Sequence, residues 1–129
     1  MAKVAKMTEE RDHAKDNAAA WVSSLAQMVS ALESEADAES ARERIQESPL
    51  SVQVRSGWAS VGDELNAEEF EILLSTGGPA LRIRGELDEN GQPERAWLEY
   101  QDWGTGWTQY FDVEQSTLLS YCSVFYFGE

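Results

Sequence analysis

The chain of 129 residues and 14.4 kDa has the size of one domain, and a 42% hydrophobic content with five Trp, four Tyr and four Phe supplies a core and excludes wholesale disorder. Acids outnumber bases 24 to 10, a net charge of −14, so phosphate polymers and anionic membranes are repelled and basic proteins attracted. No run approaches the roughly 20 apolar residues of a membrane helix, Met1 to Thr8 lacks the apolar stretch of a secretion signal, and Cys122 is the lone cysteine, so a soluble protein of a reducing, cytoplasmic compartment is expected.

Thr8 followed by Glu9 and Glu10 predicts a helix start, with acids against the positive end of the macrodipole. Ala14, Ala18, Trp21, Leu25, Met28 and Leu32 then recur at spacings of four and three, one apolar stripe along a helix to about residue 33. Packing on a sheet is the expected use of that stripe, and a homodimer through the same helix is the alternative. Residues Ser34 to Asp37 offer caps for a second helix to Ile45, ended by Ser48-Pro49.

Beyond Pro49 the periodicity changes to two. Leu50, Val52, Val54 and Trp58 alternate with polar residues, as do Phe70, Ile72 and Leu74, and then Leu81, Ile83 and Leu87; each run predicts a strand with one buried face. Thr76-Gly-Gly-Pro79 and Asp88-Glu-Asn-Gly-Gln-Pro93 are turn sequences, with Asn90-Gly91 suited to positive φ. Arg95–Trp103 and Trp107–Phe111 are the next expected strands, Asp112 with Gln115 suggests a capped short helix to about Ser120, and Tyr121–Phe127 reads as a last strand. The expected organisation is a single α+β domain over 1–129. Its helical part, 1–48, packs on one face of an antiparallel sheet of about five to six strands, 49–129, with a short helix before the last strand.

No catalytic, cofactor or metal motif emerges. The lone His13 sits among charged residues of the first helix, Cys122 lies in an apolar run and reads as a core thiol, and Gly77-Gly78 precede a strand rather than a helix, against a phosphate loop. Asp88 to Pro93 lacks the spacing of a calcium loop. A small enzyme or ligand-binding module would need Glu99, Tyr100 or Asp102 to line a pocket in a curved sheet.

Two segments depart from an ordinary domain. Asp63-Glu-Leu-Asn-Ala-Glu-Glu-Phe-Glu71 holds Asp63, Glu64, Glu68, Glu69 and Glu71 with no base among them, and Glu86, Asp88, Glu89 and Glu94 follow in the next hairpin. Same-face residues of a strand repeat at roughly 6.6 Å, close to two nucleotides of DNA, so such acids could imitate a phosphate backbone. Around two glycines, Tyr100 to Phe111 gathers five aromatics, and Trp97, Trp103 and Trp107 are candidate interface anchors.

Leu81-Arg-Ile-Arg-Gly-Glu-Leu-Asp88 with Trp97-Leu-Glu-Tyr-Gln-Asp-Trp-Gly-Thr-Gly-Trp-Thr108 resembles small proteins of phages and mobile elements, over about a quarter of the chain. In size, acidity and aromatic content the whole chain also resembles phage-encoded anti-CRISPR proteins. That likeness implies a cytoplasmic inhibitor in a bacterial host that blocks a basic nucleic-acid-binding complex, such as a CRISPR effector, without binding nucleic acid or membrane itself. The expected contact residues are Asp63, Glu64, Glu68, Glu69, Glu71, Glu86, Asp88, Glu89, Trp97, Trp103 and Trp107. The alternative is a homo-oligomeric phage accessory or structural protein.

Overall fold

The computed structural model describes residues 2–76, 79–102 and 106–127, with side chains from His13 onward. Helices α1 (Ala2–Leu32) and α2 (Ala38–Glu47) precede strands β1 (Ser51–Ser56), β2 (Ala67–Ser75), β3 (Ala80–Leu87), β4 (Pro93–Gln101) and β5 (Thr108–Tyr110), and α3 (Gln115–Cys122) follows. The expected α+β architecture is therefore present, with the helices first and an antiparallel sheet after them.

Helix α1 starts well before Thr8, because Ala2-Lys-Val-Ala-Lys-Met7 contains neither glycine nor proline and consists mostly of strong helix formers. Of its stripe, Ala14, Ala18, Leu25 and Met28 are buried, and Trp21 and Leu32 half-buried. That stripe is consumed within the chain, where α1 packs on α2, α3 and β4. Helix α2 opens at Asp37, whose carbonyl accepts the Ala41 N–H at 2.8 Å while its side chain makes no cap. At the other end Ser48 Oγ donates to the Ile45 carbonyl at 2.7 Å and accepts from Tyr121 Oη at 2.6 Å, tying α2 to α3 just before Pro49 turns the chain into the sheet.

The five strands run in the order β1-β2-β3-β4-β5, all antiparallel neighbours, which is a plain meander. On one face Phe70, Ile72, Leu81, Ile83, Ala96 and Leu98 are buried beneath the helices, as period-two patterning requires. Gly85 sits within that face opposite Phe70. A Cβ there would overlap the Phe70 ring and the Arg95 carbonyl, so the glycine lets the ring lie directly over β3.

Three expectations are corrected. Leu50, Val52, Val54 and Trp58 are not buried: β1 is the outermost strand while α1 and α3 lie over β4, and Trp58 lies in the loop after β1 with its side chain in solvent. Tyr121–Phe127 is not a strand, since Tyr121 and Cys122 end α3 and the N–H groups of Ser123, Val124 and Phe125 bond back to Leu119, Tyr121 and Cys122. The apolar residues there satisfy the core from a coiled tail instead, Phe127 stacking at 4.6 Å on Phe70. Helix α3 also begins later than Asp112, with an uncapped Glu114, because the Gln115 amide has another task. It accepts from the Ala96 N–H at 2.8 Å and donates to the Ala96 carbonyl, replacing a ladder partner at the point where β5 has run out.

The β3–β4 hairpin closes as its sequence suggests. Asp88 Oδ1 accepts the Asn90 and Gln92 N–H groups at 2.8 and 3.0 Å, and Gly91 takes φ 77°; Asn90 does not share the positive φ. The turn at Gly77-Gly78 lies outside the described residues.

Candidate functional site

The helix-free face of the sheet carries the outward residues of each strand. Strand pairing sets Arg55 opposite Glu69, Glu71 opposite Arg84, Arg82 opposite Glu99, and Glu86 opposite Arg95. Charges therefore alternate in two dimensions. Arg55 bonds Glu69 through two nitrogens at 2.8 and 2.9 Å, and Arg84 reaches the same carboxylate at 3.4 Å. Arg82 joins Glu99 at 2.7 Å and Glu71 at 3.2 Å, and Arg95 meets Glu86 at 3.5 Å. All four bases that follow residue 49 are spent here, each on a glutamate.

Aromatics cover this grid. The Arg82 guanidinium lies 3.9 Å from the centre of the Trp107 ring, and Trp97 Nε1 donates to Glu99 at 3.3 Å. Arg82 and Glu99 are mostly shielded, at 16% and 17% side-chain exposure, which strengthens their pairing relative to a wet surface pair. Hydrogen bonding from Arg55, aided by the charges of Arg55 and Arg84, holds the Glu69 carboxyl below the usual range.

A second region lies at one end of the sheet, where the β1–β2 loop, 57–66, meets the β3–β4 hairpin. Asn66, Glu68, Asp88, Glu89 and Tyr126 line a shared groove of about 670 Å³. The Glu68 carboxylate lies against Gly57, where a Cβ would overlap it. Among the described residues Asp63, Glu64, Glu68 and Glu89 make no ion pair. Trp58, Val61 and Leu65 of the loop and Tyr126 of the groove are exposed, the first two completely.

The expected contact residues thus fall into separate groups. Glu68, Asp88 and Glu89 line the groove at the loop end, with Asp63 and Glu64 in the adjoining loop, although the Asp88 carboxylate is occupied by its own turn. Glu69, Glu71 and Glu86 lie on the strand face, interleaved with arginine, so the acidic row legible in β2 is locally neutral in space. Trp97 and Trp107 sit half-buried on that same face, and Trp103 lies outside the described residues. Glu99 and Tyr100 face opposite sides, Tyr100 packing edge-on with Tyr110 at 6.3 Å, so they do not line one pocket. Cys122 is fully buried, and burial pushes its thiol pKa up.

Sequence reasoning missed Trp58, Leu65 and Tyr126 as exposed groups. A signal existed for Trp58: four residues past Val54, with Gly57 intervening, it stands outside the strand that the alternation defines. No family model, no curated protein and no solved structure matches this chain.

Proposed function

We propose that this protein is a binding inhibitor that engages a basic, nucleic-acid-binding complex of a bacterial host, in the manner of anti-CRISPR proteins, through its loop end. The observation that carries the reading is the groove that joins Glu68, Glu89 and Tyr126, next to a loop, 57–66, that carries Asp63 and Glu64 with exposed Trp58, Val61 and Leu65; none of these four acids makes an ion pair among the described residues. Unneutralised carboxylates steer a cationic partner at long range, and exposed aromatic and aliphatic groups supply the area that holds it. The strand face contributes rigidity instead, since its glutamates already have partners.

Immobilised protein is challenged with purified CRISPR effector complexes and eluted with rising salt. Retention that weakens with salt and disappears in the triple variant Asp63→Lys, Glu64→Lys, Glu68→Lys supports the reading, because screening and charge reversal both act on steering. Failure of every complex to bind at low salt, or retention indifferent to the triple variant, overturns it.

A further inference from the structure

Among the described residues strand β1 borders no other strand on its outer side, and its two inward valines are only partly covered. Val52 pairs with Ile72 and Val54 with Phe70, yet the valines are 37% and 45% exposed where their partners are buried. Natural edge strands are usually blunted by lysine, by inward charge or by a covering element; Ser51-Val-Gln-Val-Arg-Ser56 has no lysine and no inward charge. The only irregularity in its pairing lies at Arg55/Ser56, at the end of the strand.

Past Ser56 the same edge continues into the loop, where Trp58 and Leu65, with Arg55 and Glu69 from the opposite face to the valines, wall a groove of about 570 Å³; the loop also carries Asp63 and Glu64. An open backbone ladder with partly covered valines on one face and a loop carrying Trp58, Leu65, Asp63 and Glu64 thus succeed one another along the chain at this edge.

We infer that β1 receives an added strand from a basic partner protein: an extended segment whose alternate apolar side chains rest on Val52 and Val54, and whose cationic residues run on to the acids of loop 57–66. Main-chain bonds along an open edge give such a contact its affinity, and the uncovered positions give it specificity. Charge selects this occupant over a second copy. Antiparallel self-pairing of β1 would bring the acidic loop of one copy toward exposed Glu47, just ahead of Pro49, in another, between molecules of charge −14. This inference deepens the loop-end reading above and rests on it for the partner's charge.

The probe is a fluorescent peptide of alternating valine and lysine, titrated into the full chain at low and moderate salt, with amide hydrogen exchange followed across 51–56. Binding should slow exchange in β1, and Val54→Glu should weaken it by about ten-fold or more although the change adds negative charge, because it places a carboxylate where the added strand must pack. Affinity unchanged or raised in Val54→Glu, with β1 exchange unaltered, overturns strand addition. If the Asp63, Glu64, Glu68 reversal alone abolishes effector binding in that case, the inhibitor reading stands without this one. A dimer by sedimentation that protects β1 in the absence of peptide also overturns it, in favour of a second copy. Exchange protection in the unmodified chain decides the matter even if Val54→Glu fails to fold.

Discussion

The glutamates of β2 and the acids of the loop before it are neighbours in sequence with opposite electrostatic roles. Glu69 and Glu71 meet guanidinium groups of β1 and β3, whereas Asp63 and Glu64 of the loop, and Glu68 at the start of β2, form no ion pair among the described residues. A run of like charge in a sequence therefore says little about the field it produces; strand pairing decides which members are cancelled.

The sharpest way to break that contrast is to disturb the sheet that enforces it. Gly85→Val should cost about 3 kcal/mol, because the new side chain must displace the Phe70 ring or the Arg95 carbonyl; urea denaturation measures it, and a loss under 1 kcal/mol would mean that Phe70 can move aside. Next comes Arg82→Met, which strips Glu71 and Glu99 of their shared cation and Trp107 of its stacking partner. A loss of about 2 kcal/mol is expected, and a double-mutant cycle with Glu99→Gln should recover part of it, since the orphaned carboxylate is then neutral.

How much of this was legible in the sequence follows from those residues. Parity already placed Arg82, Arg84 and Glu86 on one side of β3 and Leu81, Ile83 and Leu87 on the other, and the helical stripe from Ala14 to Leu32 named the covering element. Missing was the register across strands. The pairing of Arg82 with Glu99 depends on where the Asp88 turn closes and on an irregularity at Glu86/Leu87, which no periodicity records. Trp58 and the valines of β1 were misassigned for a different reason. Alternation identifies a strand with one apolar face but not whether any helix reaches far enough to cover it. Tyr121–Phe127 reads as strand because aromatic and β-branched residues also suit a buried tail.

On the helix side, a neutral hydroxyl pair offers a control that the charge contrast should not touch. Burial pushes the Tyr121 phenol up to about 12, above its ordinary value near 10. A raised pKa in the folded state means that the stabilising effect is complete below pH about 10 and is lost as pH rises toward 12. Tyr121→Phe should cost about 1 kcal/mol near neutrality and remove that alkaline loss, as thermal melts between pH 9 and 12 would record.

Smaller still is Glu69→Gln. Because the folded-state pKa of Glu69 is lowered, its contribution exists above the unfolded value of about 4.3 and fades as pH falls through the lower folded one. Parent and variant should differ at pH 7 by less than the variants above, because Arg55 is exposed, and converge as the pH falls below the unfolded value. Smallest of all, the Asp63, Glu64, Glu68 reversal should leave stability within about 0.5 kcal/mol, since none of the three makes an ion pair among the described residues and Glu68 is exposed where it lies against Gly57. A loss above 1 kcal/mol would assign these acids a folding role and erase the contrast with Glu69 and Glu71.

The Gln115 amide that closes on Ala96 has a consequence for assembly. Together with the three-residue β5 and helix α3, it leaves little ladder on that flank of the sheet for another chain to extend. A sheet that can grow at both margins polymerises head to tail, whereas one with a single usable margin ends whatever it joins. Strand addition at β1, as inferred above, would therefore stop after one added strand, because among the described residues the opposite margin offers only the three residues of β5.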